Sequence, residues 1–173
     1  AIEENRTRYT LNQGTNELRT AISAKLKRDN NLVYNLNEII VSNGAKQSVY
    51  NSILATVNPG DEVIIPAPYW VSYPAMVSLA GGKNIIIETN ESTGFKVTPE
   101  QLNAAITPKT KMIWYSSPCN PSGSVYSREE FTAIAEVLKK YPNIYIVADE
   151  IYEHINFSGT FCSIASIPGM FER

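Results

Sequence analysis

Residues that could bind a ligand follow several of the predicted strands. The clearest group follows the apolar run at residues 143–148. This run ends on Asp149 and Glu150, with Tyr152 two positions later. In open α/β sheets, ligands bind in the crevice beyond the carboxyl ends of the strands. There Asp149 could keep a pyridine nitrogen protonated, so that the ring takes up electrons, and Tyr152 could donate to a ring oxygen. The alternative is an ionised aspartate at the rim beside a surface tyrosine.

The turn at residues 42–47 (Ser-Asn-Gly-Ala-Lys-Gln) joins a predicted strand to a predicted helix. Unpaired N–H groups at the start of a helix bind anions, and Gly44 lets a phosphate approach the backbone closely. By itself the pattern also fits a glycine turn that opens an ordinary helix.

Two further loops follow predicted strands. At residues 66–73, Trp70 stands among prolines and tyrosines and offers a flat face on which a ring could stack. At residues 116–123, Asn120 could donate a hydrogen bond to a phenolate-like oxygen, and a cis bond to a neighbouring proline would turn it inward. The alternatives are a core tryptophan and a plain proline-rich turn. The shared position after strands favours a ligand site.

Alternating strand and helix signals predict the elements that position these residues. Helices are expected at residues 15–30 (Leu18, Ile22 and Leu26 on one face), 44–57 (Val49, Ile53 and Leu54 inward), 70–80, from Thr98, and from Ser127 (carrying Phe131, Ile134 and Leu138). Strands are expected at residues 39–41, 62–66, 84–88, 111–115 and 143–149. This order predicts an α/β fold with a mostly parallel sheet covered by helices on both faces, as a single domain over residues 1–173.

Composition excludes several classes of function. With 173 residues, a formal net charge of -2 and 43% hydrophobic residues, the chain has no electrostatic basis for binding nucleic acid or an anionic membrane. No apolar run reaches the roughly 20 residues of a membrane helix, and a secretory signal is not expected. Cys119 and Cys162 form neither a metal motif nor a disulfide framework, so a reducing, cytoplasmic location is expected.

The cysteines allow one competing hypothesis. Cys119 and His154, the only histidine, could form a thiol nucleophile with its base, although nothing in the sequence places them together. Cys162 is expected to be a small buried apolar group.

Taken together, residues 42–47, 66–73 and 149–154 (Asp-Glu-Ile-Tyr-Glu-His) resemble the class I/II aminotransferases, pyridoxal-phosphate enzymes of fold type I. The resemblance runs from Tyr9 onward and is strongest to the aspartate and prephenate aminotransferases of subgroup Ib. It implies the three-layer αβα large domain of that family. The loop Asn-Pro-Ser-Gly at residues 120–123 departs from the family's Asn-Pro-Thr-Gly but keeps the hydroxyl.

The resemblance implies pyridoxal 5′-phosphate as cofactor and a role for each matched residue. Gly44 and Ala45 would bind its phosphate, Trp70 would stack on the ring, Asn120 and Tyr152 would hold the ring oxygen, and Asp149 the ring nitrogen. Tyr9 would reach the phosphate of the neighbouring subunit in a homodimer, and Lys46 would contact the distal carboxylate of an acidic substrate.

The family's Schiff-base lysine has no counterpart here, because no lysine follows Asp149. The chain therefore resembles an internal piece of the large domain, without the N-terminal segment, the lysine region beyond Arg173 or the small domain. The resemblance implies transamination between an acidic amino acid (aspartate or glutamate, with prephenate/arogenate as a further substrate pair) and a 2-oxo acid for the full-length protein, and inactivity of the 173 residues alone. Two alternatives stay open: a non-catalytic piece, or another fold type I enzyme such as a β-lyase or a cyclising lyase.

Overall fold

A computed structural model of the chain describes residues 2–5, 7–157 and 159–173. The chain divides into two compact units, Ala1–Ser48 and Val49–Arg173, and each is described by itself. The expectation of a single domain stays a prediction. No helix among the described residues has the length and apolar content that a membrane crossing needs.

The first unit is built on helix α1, Asn16–Asn30. Thr15 caps its start by accepting the Leu18 N–H, and Asn31, in the left-handed conformation, closes its end by donating to the Leu26 carbonyl. These caps confirm the helix predicted at residues 15–30. A short 3₁₀ helix, Leu36–Glu38, follows, and its Leu36 carbonyl accepts a 2.7 Å hydrogen bond from the buried Arg19 guanidinium.

The strand predicted at residues 39–41 is wrong. This segment is extended, and the Val41 N–H donates to the Gln13 carbonyl at 3.0 Å, but the segment pairs with no strand in the described part of the chain. Ile39 is buried whereas Ile40 is 70% exposed. Three consecutive β-branched residues therefore produced the strand signal without a neighbouring strand to complete a ladder.

The second unit contains one sheet with helices on both faces. Its elements are α2 (Ala45–Thr56, which begins in the first unit), β1 (Glu62–Pro66), α3 (Ser72–Leu79), β2 (Lys83–Ile87), α4 (Pro99–Ala105), β3 (Thr110–Ser116), α5 (Arg128–Leu138) and β4 (Tyr145–Asp149), with 3₁₀ helices at Glu91–Thr93 and Ile164–Ser166. The strand order is β2-β1-β3-β4, and each pair is parallel. This confirms the predicted α/β fold.

The side chains of the central strands alternate between two apolar layers, as the pleat requires. On β3, Trp114 packs in the layer formed with α2 and α3, and Tyr115 in the opposite layer formed with α4 and α5. Each layer is closed by residues at helical spacing: Val49 and Ile53 on one side, Phe131 and Ile134 on the other. The three-layer αβα arrangement follows.

Two details of the predicted burial are wrong. Leu54 is 52% exposed rather than inward, because it lies about 100° around α2 from Ile53 whereas Val49 shares the Ile53 face. The strand leading to Asp149 was predicted to be buried, yet Tyr145 is 44% exposed and the other residues of β4 are half-buried. Among the described strands β4 lies at the edge of the sheet, which accounts for its exposure.

Candidate functional site

The strand order places a topological switch point between β1 and β3. The chain leaves β1 to form β2 on one side and leaves β3 to form β4 on the other, so the loops that follow β1 and β3 diverge. Such a switch point is where open α/β sheets bind ligands. These two loops carry Trp70 and Asn120, and the Cys119 thiol joins them by donating to the Pro68 carbonyl at 3.4 Å.

Asp149 is the last residue of β4, as its position after the apolar run predicted. Its carbonyl accepts a 3.1 Å hydrogen bond from the Ser117 N–H, which ties the end of β4 to the loop after β3. Its half-buried carboxylate accepts a 2.6 Å hydrogen bond from the Tyr73 hydroxyl at Oδ2 and a longer 3.4 Å contact from the Ile151 N–H at Oδ1. The carboxylate is therefore held in place at the mouth of the sheet.

Tyr73 contacts Asp149 and is not among the site residues predicted from the sequence. It lies in the first turn of α3, is 1% exposed, and stacks on Trp114 with ring centroids 3.9 Å apart. Burial, and then the neighbouring Asp149 carboxylate, raise the pKa of its phenol. The hydroxyl consequently keeps its proton and donates to Asp149. The spacing of Trp70 and Tyr73, three apart at a helix start, indicates that these two rings meet, but it does not indicate Asp149 as the partner of the Tyr73 hydroxyl.

Trp70 lies beside this pair and is half-buried. Its ring meets the Tyr73 ring edge-on, with centroids 5.9 Å apart and planes at 90°. Trp70 thus packs against the border of the apolar layer, whereas Trp114 is the fully buried tryptophan. The alternative in which Trp70 is a core tryptophan therefore describes Trp114 better than Trp70. Trp70 contacts Tyr73, which in turn donates to Asp149.

Asn120 and Tyr152 both line a separate feature, a cavity of about 560 Å³ between the loops that follow β3 and β4. Its wall combines their polar side chains with Pro118, Cys119, Val125, Ile155 and Phe157. The peptide bonds before Pro68, Pro118 and Pro121 are cis. The Asn120 amide and the Tyr152 phenol, which line the same cavity, could both donate to a single oxyanion.

Gly44, Ala45, Lys46 and Tyr9 belong to the first unit. Gly44 has φ +86°, in the left-handed region, and a Cβ placed there would meet no atom within 4 Å. Ala45 opens α2, and the Gln47 side chain reaches back to the Asn43 N–H at 2.6 Å. Open space beside a glycine at a helix start suits the approach of an anion.

Lys46 and Tyr9 are exposed, Tyr9 completely. The roles predicted for both residues, in substrate and partner-subunit contacts, stay predictions.

Cys119 and His154, the two residues of the thiol–histidine hypothesis, contact different partners. Cys119 donates to Pro68, whereas His154 Nε2 lies 3.2 Å from the Glu153 carboxylate. Cys162 is half-buried beside the Ser166 hydroxyl, 3.7 Å away, so it is less buried than expected.

Comparison with known proteins identifies the family of this chain. The profile of the family described as aminotransferase class I and II matches residues 1–170. The chain is 50% identical to an aspartate/prephenate aminotransferase of Cereibacter sphaeroides and 50% identical to a bifunctional aspartate aminotransferase and glutamate/aspartate-prephenate aminotransferase of Petunia hybrida. The whole chain is matched in both cases, but it spans 44% and 36% of the two relatives.

A solved structure gives the same likeness. The crystal structure of the aspartate aminotransferase from Rhizobium meliloti superposes on 98% of this chain with a TM-score of 0.94 at 44% identity, and the match covers 43% of that chain. The strand order and helix layers described above are thus those of a known aminotransferase structure.

Proposed function

Because the chain belongs to the class I and II aminotransferase family, we propose that the protein containing it transfers amino groups with pyridoxal 5′-phosphate as cofactor. The observation that carries the proposal is the Asp149 carboxylate, which the neutral Tyr73 phenol holds at the carboxyl end of β4. When bound, the cofactor supplies a protonated pyridine ring that takes up the electron pair released at the substrate Cα.

The donor and acceptor groups of the second unit are of the types that this cofactor requires. Asp149 offers a half-buried carboxylate to a protonated ring nitrogen, and Trp70 offers an aromatic surface beside it. Asn120 and Tyr152 would orient the ring by donating to its oxygen, since an amide N–H and a phenol O–H both stabilise a phenolate. We propose that Gly44 and Ala45 bind the phosphate, supported by the open helix start.

We further propose an acidic amino acid, aspartate or glutamate, as amino donor, with prephenate or another 2-oxo acid as acceptor. Lys46 would select these substrates because an exposed ammonium group attracts a distal carboxylate. The names of the relatives support this choice, since they mention aspartate, glutamate and prephenate.

We also propose a cytoplasmic homodimer in which Tyr9 contacts the neighbouring subunit. The complete exposure of the Tyr9 ring is compatible with a partner contact, and two unpaired cysteines suit a reducing compartment. Analytical ultracentrifugation of the full-length protein would measure the assembly.

The first test replaces the carboxylate in the protein that contains this chain. Asp149→Asn should lower kcat for transfer from aspartate to 2-oxoglutarate by about 10²–10³-fold, the usual cost of losing one group that stabilises reaction charge. Asp61→Asn is the control, because Asp61 accepts the Asn58 N–H in a turn after α2. Asp61→Asn should retain wild-type kcat.

Three outcomes would contradict the proposal. The first is an absence of turnover by the wild-type protein, and the second is an Asp149→Asn variant within about twofold of wild type. The third is release of ammonia, with formation of a 2-oxo acid, from the amino acid when no 2-oxo acid acceptor has been added, which would favour the alternative of a fold type I β-lyase.

A further inference from the structure

We propose that Tyr73 is a positioning residue that fixes the orientation of the Asp149 carboxylate toward the bound cofactor ring. This inference rests on the proposed function. Tyr73 does not contact the ligand in this role. It acts through Asp149, which alone meets the ring nitrogen.

The first support is the geometry of the carboxylate. The Tyr73 hydroxyl lies 2.6 Å from Oδ2, and the Ile151 N–H lies 3.4 Å from Oδ1. Contacts on both oxygens restrain rotation about the Cβ–Cγ bond. A carboxylate has about four lone-pair positions, so acceptor capacity is left for a ring N–H.

The second support is the rigidity of the donor. The Tyr73 ring lies between two indoles: it stacks on Trp114 at 3.9 Å and meets Trp70 edge-on at 5.9 Å. Trp114 is fully buried in β3, so its ring has no room to withdraw. A hydroxyl on a ring packed in this way cannot follow a moving carboxylate, and Asp149 must align with it.

The third support is charge. Burial and the adjacent carboxylate raise the pKa of the Tyr73 phenol, so Tyr73 is neutral throughout the physiological range. A lysine or arginine at this place would neutralise Asp149. A neutral donor orients the carboxylate but leaves its full negative charge for the ring cation.

The test uses the protein that contains this chain, loaded with pyridoxal 5′-phosphate labelled with ¹⁵N in the ring. The ¹⁵N chemical shift reports the protonation of the ring nitrogen. Tyr73→Phe should move this shift toward that of the unprotonated ring and weaken cofactor affinity about tenfold or more, the usual effect of removing a hydrogen bond to a charged group.

The matched control is Tyr115→Phe. Tyr115 is also a buried tyrosine, but it lies on the opposite face of the sheet, and its hydroxyl has no partner among the described residues. Tyr115→Phe should leave the ¹⁵N shift at the wild-type value. In an Asp149→Asn background, Tyr73→Phe should change the shift no further, because its effect passes through the carboxylate.

A second readout needs no cofactor. The ¹³Cγ resonance of Asp149 in the unliganded protein should move in Tyr73→Phe and stay in Tyr115→Phe. If Tyr73→Phe does not fold, 3,5-difluorotyrosine at position 73 keeps the ring and the hydroxyl but alters the strength of the donor, so both resonances should still move.

The outcomes separate the two proposals. A wild-type protein that holds labelled cofactor with a protonated ring, together with unchanged resonances in the position-73 variants, would overturn the role of Tyr73 and leave the proposed function standing. A wild-type protein that binds no labelled cofactor, or binds it unprotonated, would overturn both.

Discussion

At the scale of single residues, two buried tyrosines in one aromatic cluster have opposite environments. Tyr115, Tyr126 and Phe131 pack with ring centroids 4.9–5.7 Å apart. The Tyr126 hydroxyl accepts a 2.8 Å hydrogen bond from the Val97 N–H, whereas the Tyr115 hydroxyl is buried without a partner in the described part of the chain. The two hydroxyl groups should therefore contribute differently to stability.

Removing each hydroxyl group tests this contrast. Tyr126→Phe should lower the free energy of unfolding by about 1–3 kcal/mol, because it leaves the buried Val97 N–H unsatisfied. Tyr115→Phe should leave that free energy unchanged or raise it by up to about 1 kcal/mol, because no bond is lost. Urea titration followed by circular dichroism measures both. A larger loss in Tyr115→Phe than in Tyr126→Phe would contradict the assignment.

The same scale shows what the sequence could and could not reveal about the site. Asp149 was predictable, since a carboxylate directly after an apolar strand has a defined place in a parallel sheet. Tyr73 was not, because its partner lies 76 positions away. That contact exists only once β1, β3 and β4 are assembled side by side, and local patterns do not specify such a pairing.

At the scale of elements, the helix starts were the best predicted features. In α5 the Ser127 hydroxyl accepts the Glu130 N–H at 3.2 Å, and the Glu130 carboxylate accepts the Ser127 N–H at 2.7 Å. Thr98 and Gln101 form the same reciprocal pair at α4. These motifs are complete within four residues, so the sequence alone determines them.

The cap of α5 supplies an element-scale prediction. Ser127→Ala should reduce the free energy of unfolding by about 1 kcal/mol, because the Glu130 N–H loses its acceptor. Ser127→Thr keeps a hydroxyl acceptor and should stay within a few tenths of a kcal/mol of wild type. Chemical denaturation measures the pair, and equal stability of the two variants would show that the cap contributes nothing.

Strand prediction depended more strongly on neighbours. The run at 62–66 was located correctly, whereas the segment at 39–41 has similar residues and forms no strand. The exposure of β4 also follows from its place at the border of the four strands rather than from its composition. A strand is completed by other strands, and its own sequence does not name them.

At the scale of the whole molecule, three buried phenols are expected to make the folded state less stable as the pH rises into the alkaline range. Burial is the main cause that raises the pKa of Tyr73, Tyr115 and Tyr126, all in the second unit. In the unfolded chain these groups ionise near pH 10. Above that pH the folded state binds more protons than the unfolded state, so stability falls as pH rises.

This difference in the number of bound protons sets the expected slope of the free energy of unfolding against pH. Each tyrosine should contribute about 1.4 kcal/mol of lost stability per pH unit above about pH 10, or about 4 kcal/mol per unit for all three. Tyr126→Phe should reduce the slope by about one third. Urea unfolding between pH 9 and 11.5 provides the test, and a slope equal in wild type and variant would contradict it.

The bond between Tyr73 and Asp149 has a consequence for how such a protein can change during evolution. The phenol takes its support from Trp114, deep in an apolar layer. In the role that we propose for Tyr73, the acidity of a bound heterocycle would be linked to packing that the heterocycle never touches. Variation in that interior would alter reactivity before it altered the shape of the ligand cleft, so selection could adjust catalysis from inside the protein.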